Sequence, residues 1–150
     1  MFIKVKVLTP TAQMPTHGSP SAAGYDLYAD VKGTFNGEDK VLIPRGKTVK
    51  VGTGLAMELP EGYGGFIFAR SGLSIKDGLR PANCVGLCDS DYRGEYIVAL
   101  HNDGEHDIFV EHGARIAQLV VMAHQNLCFE EVEELDDTER GEGGFGSTGK

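Results

Sequence analysis

Short runs in which every second residue is apolar dominate this chain, and glycine-containing turns separate them. Ile3, Val5 and Val7 alternate with Lys4 and Lys6, and Val49 and Val51 bracket Lys50. Successive strand side chains point to opposite faces, so this pattern buries one face and wets the other. Tyr96, Val98 and Leu100 alternate with Glu95, Ile97 and Ala99. Apolar residues in both sets predict a strand buried on both faces. Arg115 to His124 is a further apolar run rich in β-branched residues, a strand composition. Pro44-Arg45-Gly46, Pro60-Glu61-Gly62, Asn102-Asp103-Gly104 and His112-Gly113 fall between the runs and supply turn chemistry. Glycine, 21 of 150 residues, is about twice as frequent as the usual ~7%. The expected class is all-β, a sandwich, jelly roll or barrel. One short helix is expected from Ser71 to Asp77, capped by Ser71 and ended by Gly78. Leu127 to Leu135 stays open. Cys128, Val132 and Leu135 keep helical spacing, but the segment is short and uncapped.

The length suits one domain with a real core. A formal net charge of −8 argues against a nucleic-acid polymer as partner, since that demands a basic face. A small anionic ligand is compatible, provided a few arginines converge. Three cysteines, Cys84, Cys88 and Cys128, are an odd number for a disulfide scaffold. The first residues lack a signal-peptide core, and no apolar run is long enough to span a membrane. The expected setting is the reducing cytoplasm. Cys84 and Cys88 lack a second cysteine pair and the usual zinc spacing, so they read as ordinary strand cysteines.

The last eleven residues, Arg140 to Lys150, place five glycines around Phe145, Ser147 and Thr148. Such a segment cannot form a core. It offers unobstructed backbone N–H groups beside a cation and two hydroxyls, which is phosphate-binding chemistry. Phe145 adds a flat face for stacking on a base. Gly141-x-Gly143-x-x-Gly146 matches a dinucleotide fingerprint only in letters, because no helix follows it. Residues 1–135 are expected to form the β domain, and 136–150 a flexible arm closing over a phosphorylated ligand.

Four other islands carry chemistry. Arg70-Ser71-Gly72-Leu73-Ser74 sets a guanidinium and a hydroxyl at the start of the expected helix, where N–H groups favour a phosphate. Gly86 to Glu95 reads as a hairpin-like segment bearing Asp89, Asp91 and Tyr92. Ala22-Ala23-Gly24-Tyr25-Asp26-Leu27 and Gly113-Ala114-Arg115-Ile116-Ala117-Gln118 complete the set. Each alone has a plain structural explanation as a cap or a turn.

In this order the five islands resemble the five motifs of the trimeric dUTP pyrophosphatase (dUTPase) family, and the match spans nearly the whole chain. The resemblance implies a jelly-roll-like fold and a homotrimer whose C-terminal arm is exchanged between subunits. It also implies active sites built between subunits, and strand for Leu127–Leu135. The implied reaction converts dUTP and water to dUMP and pyrophosphate. Asp89 matches the carboxylate that activates water for attack on the α-phosphorus, and an exposed aspartate with its pKa of ~3.9 is ionised near neutrality. Ser71, Gly72 and Gln118 match groups around the α-phosphate. Arg70 and Arg140 would neutralise charge on the departing pyrophosphate. Mg²⁺ is the implied metal, carried largely by substrate phosphates, with Asp26 either holding a metal-bound water or serving a structural role.

Base selection is expected between Asn83 and Ile97, with Leu87 and Cys88 in the wall. Uracil presents an acceptor at O4 where cytosine presents a donor. A backbone N–H aimed there accepts one and leaves the other unpaired. Tyr92 would pack on deoxyribose and leave no room for a 2′-hydroxyl. Phe145, Gly146 and Ser147 would close over the nucleotide. The chain departs from the commoner family pattern at Ala69, usually proline, at Cys88, usually aliphatic, and at Ala114, usually aspartate. A dCTP deaminase, or a bifunctional deaminase–pyrophosphatase, shares the implied fold. A nucleotide sensor without turnover is a rival of another class.

Overall fold

The computed structural model describes residues 1–144. Eleven strands follow one another: β1 (Lys4–Val7), β2 (Thr16–His17), β3 (Tyr25–Tyr28), β4 (Lys40–Ile43), β5 (Thr48–Glu58), β6 (Tyr63–Phe68), β7 (Leu79–Pro81), β8 (Val85–Cys88), β9 (Glu95–Asn102), β10 (Ile108–Glu111) and β11 (Arg115–Ala123). One sheet has the order β1-β5-β9-β7, a second β2-β3-β11-β6-β8, and β10 pairs with β4 in a small third. Leu27, Ile67, Ala117 and Leu119 of the second sheet share one core with Val51, Leu55, Tyr96, Val98 and Leu100 of the first. The two larger sheets thus enclose one apolar interior, the jelly-roll-like sandwich expected. Each such side chain contributes on the order of 1.5–3 kcal/mol by leaving water.

The turns fall where glycines permit them. Gly46, Gly62 and Gly113 all have positive φ. Gly78 is the most constrained, with φ 69°, and an added Cβ would lie 2.6 Å from the Gly104 backbone nitrogen. Its N–H donates to the Leu73 carbonyl and ends the only helical turn among the described residues, Leu73–Asp77. Ser71 does not cap that turn. Instead the Ser74 hydroxyl donates to the carbonyls of Arg70 and Ser71, so the turn is tightened from inside.

Three further expectations are corrected. In β9, Tyr96, Val98 and Leu100 are buried, but Ile97 is 44% exposed. Among the described residues no layer covers its outer face. Residues 86–95 are not a hairpin, because β8 pairs with β6 while β9 pairs with β5 and β7. Residues 89–94 instead form a corner crossing from one sheet to the other. Leu127–Leu135 is neither strand nor helix. After Ala123 the chain leaves its sheet, and Leu127, Phe129 and Leu135 stand exposed. Among the described residues no helix is long and apolar enough to cross a membrane.

Candidate active site

Asp26 lies on β3 of the second sheet, opposite Gln118 of the central strand β11, which in turn faces Phe68 of β6. Strand alternation therefore brings three islands distant in sequence to one spot. The Asp26 carboxylate is buried. Arg70 Nε donates to its Oδ1 at 3.0 Å and Arg115 Nη1 to its Oδ2 at 3.2 Å. Gln118 Nε2 reaches Oδ1 at 3.5 Å. A buried carboxylate is tolerable only when paired and hydrogen-bonded, and here two guanidiniums do both. Their charges exceed that of the carboxylate, which leaves a pre-positioned cationic patch. Ser71 and Gly72 are exposed immediately beyond Arg70, free to meet an anion.

The second group of residues surrounds the 89–94 corner. Leu87, Cys88, Asp89, Tyr92, Glu95, Tyr96 and Ile97 line a cavity of about 220 Å³. That is below the ~300–1,000 Å³ of pockets that take a whole drug-sized ligand, and suits part of a nucleotide. Asp89 is exposed at its rim. The Tyr92 hydroxyl donates to the Glu95 carbonyl at 2.9 Å, which ties the ring across the corner. Gly94 allows this, since a Cβ there would lie 2.4 Å from the Tyr92 Oη. Burial pushes the Cys88 thiol above its ordinary pKa, against a smaller lowering from Tyr96. Burial, with the Cys88 thiol beside it, likewise pushes the Tyr96 phenol far up.

The structure thus gathers Asp26, Arg70 and Gln118 in one place, with Ser71 and Gly72 just beyond, and Leu87, Cys88, Asp89, Tyr92 and Ile97 in another. Asn83 is exposed in the turn before β8 and does not line the cavity. Arg140 joins neither group, and its Nε donates to the Gly143 carbonyl. Phe145, Gly146 and Ser147 lie outside the described residues. Sequence reasoning missed Tyr96, which alternation assigned to the core, and Glu95, whose Oε1 accepts the Gly54 N–H. It also assigned no contact to Arg115, which pairs with Tyr28 in the β3–β11 register and reaches Asp26 through its side chain.

The two groups sit at opposite ends of β6. Cys88 faces Gly65 and Val85 faces Phe68. Three residues of strand span about 10 Å, and Asp89 and Arg70 lie beyond those ends. Mg²⁺ would need several free oxygen donors. Both oxygens of Asp26 are engaged by guanidiniums, and no cluster of three metal-ligating side chains occurs among the described residues. The residues present do not build a Mg²⁺ cage.

Comparison with known proteins agrees with this geometry. The dUTPase family model matches residues 10–149. The deoxyuridine 5′-triphosphate nucleotidohydrolase of Syntrophotalea carbinolica is 45% identical over 147 residues, covering 98% of this chain and 96% of its own. That of Candida albicans is 44% identical, covering 99% and 88%. Among solved structures, the dUTPase of Staphylococcus bacteriophage 80alpha with dUPNHPP superposes with a TM-score of 0.86 at 29% identity, covering 99% of each chain. With a family model spanning its own cation cluster and corner alike, this chain belongs to the dUTPase family.

Proposed function

We propose that this protein hydrolyses dUTP to dUMP and pyrophosphate, and that copies of the chain share each active site. The observation that carries the reading is the separation along β6. A single copy holds its anion-binding arginine and its exposed Asp89 too far apart for one α-phosphate. A site uniting them takes Arg70, Ser71 and Gln118 from one copy and the corner from another. A homotrimer with cyclic symmetry repeats such a contact three times. The exposed Leu127, Phe129 and Leu135 support an exchanged C-terminal segment, because they lack cover in their own chain.

In this site the corner cavity receives uracil and deoxyribose, with Tyr92 against the sugar and Leu87, Cys88 and Ile97 as wall. Asp89 takes a proton from water as the water oxygen attacks the α-phosphorus. The bond to the bridging oxygen breaks and pyrophosphate departs. Ser71 and Gln118 hold the α-phosphate, with Gly72 leaving room for it. Arg70 is already fixed by Asp26, so its charge needs no reorganisation as negative charge develops. Asp26 thus serves as a positioning residue. The arm from residue 136 onward supplies Arg140, Phe145, Gly146 and Ser147 as a cover. Mg²⁺ would come bound to the phosphates of dUTP and would screen their charge.

The test pairs two inactive variants, Arg70→Ala and Asp89→Asn. Each alone should release little pyrophosphate from dUTP. Unfolded together and refolded in equal amounts, they should regain about a quarter of wild-type activity, because random mixing reunites both intact residues at that fraction of interfaces. No recovery would refute shared sites. Ammonia released from dCTP would favour the deaminase, and dUTP binding without turnover would favour a sensor.

A further inference from the structure

Cys88 stands out among the three thiols. Cys84 and Cys128 are exposed, whereas Cys88 is half-buried and lines the corner cavity beside Asp89. Tyr96 lines the same cavity, is 1% exposed, and carries a hydroxyl with no hydrogen-bond partner. The polar group beside that hydroxyl is the Cys88 thiol, met without well-formed hydrogen-bond geometry. An unsatisfied buried hydroxyl costs stability and asks for an explanation. Cys88 of the same cavity interacts with that hydroxyl and offers it a sulfur acceptor. The phenol keeps its proton across the physiological range, so it is available as a donor to sulfur.

We propose that Cys88 is a site of reversible covalent modification by small uncharged sulfur electrophiles, and that modification closes the corner cavity to the nucleoside. The closing effect rests on the proposed reading of that cavity as the nucleoside site. The Cys88 thiolate attacks the sulfenyl sulfur of a disulfide or thiosulfonate. A new S–S bond forms as the reagent's own S–S bond breaks, and the departing thiolate or sulfinate takes the electron pair. The thiol proton passes to solvent. The reagent is the oxidant, and a dithiol reverses the step. Tyr96 donates to the sulfur as charge develops on it. Asp89 and Glu95 line the same cavity and repel anionic reagents, which restricts the class to neutral ones. A thiol held above its usual pKa reacts slowly near neutrality and faster as pH rises.

The experiment uses the full chain with Cys84→Ser and Cys128→Ser, treated with methyl methanethiosulfonate. Mass spectrometry should show one methylthio group, absent when Cys88→Ala is added. Release of pyrophosphate from dUTP should fall at least about tenfold and return with dithiothreitol. Saturating dUPNHPP should slow labelling. A sulfonate-bearing thiosulfonate should label roughly tenfold more slowly than the neutral one, given two nearby carboxylates. Tyr96→Phe, which deletes the donor and keeps the ring, should slow labelling several-fold. Absence of labelling, full activity in the labelled protein, or equal rates for Tyr96 and Phe would overturn the proposal. Labelling rates are read by mass, so a protein that does not hydrolyse dUTP would defeat the functional reading separately.

Discussion

Asp26→Asn is the most telling perturbation, because it changes charge and hardly shape. The wild-type carboxylate is 3% exposed in its side chain, while Arg70 and Arg115 are 24% and 49% exposed. Removing one partner of a fully buried pair costs about 3–5 kcal/mol. Both arginines reach water, so part of that cost is recovered by hydration. An estimate of roughly 2–3 kcal/mol follows. For a chain of this size that corresponds to a drop in Tm of about 4–12 °C. The asparagine also presents an N–H₂ group toward one guanidinium, donor against donor. That guanidinium should swing away. Displacing a positioning group by ~1 Å can cost about 10²-fold in rate, so kcat should fall by that order with the protein still folded at 25 °C. Denaturant unfolding gives the stability change, and pyrophosphate release from dUTP gives kcat and KM. A variant with unchanged Tm and unchanged kcat would refute the claim that Asp26 organises the cations.

Asp89→Asn should slow hydrolysis by on the order of 10²–10⁴ while dUPNHPP still binds, as calorimetry would show. Gly94→Ala should displace the Tyr92 ring, whose Oη lies 2.4 Å from the new Cβ, and lower the preference for dUTP over UTP in competition assays. Gly78→Ala meets both a φ of 69° and a backbone nitrogen at 2.6 Å, and should cost about 1–3 kcal/mol in chemical unfolding. Phe145→Ala should weaken dUPNHPP by roughly 1–3 kcal/mol, the scale of one stacked base, measured by titration.

Local patterns revealed the strands and turns because they depend on neighbours. Gly78 ends its turn as expected, since positive φ is a property of one residue. Alternation in Tyr96, Val98 and Leu100 identified the inward face of β9. It did not reveal that Ile97 stays uncovered, because covering depends on which layer lies outside. The corner at 89–94 read as a hairpin for a related reason. Two strands joined by a short link look alike whether they pair together or enter different sheets. Asp26, Arg70 and Gln118 were legible as separate islands. Their convergence needs the β3-β11-β6 order, which no spacing along the chain encodes. Leu127 and Leu135, before the arm, gave mixed periodicity because no packed neighbour among the described residues imposes either period on them.

The corner at 89–94 is anchored at one end in each layer of the sandwich, so its shape records the gap between them. Val98 and Ile67, buried in the interior between the layers, help to set that gap. Trimming either would let the layers settle and would reshape the walls proposed to tell one sugar or base from another. On the proposed reading, discrimination among nucleotides would be inherited from how well the interior is filled. Variants that merely loosen the middle of the protein should lose fidelity before they lose the fold.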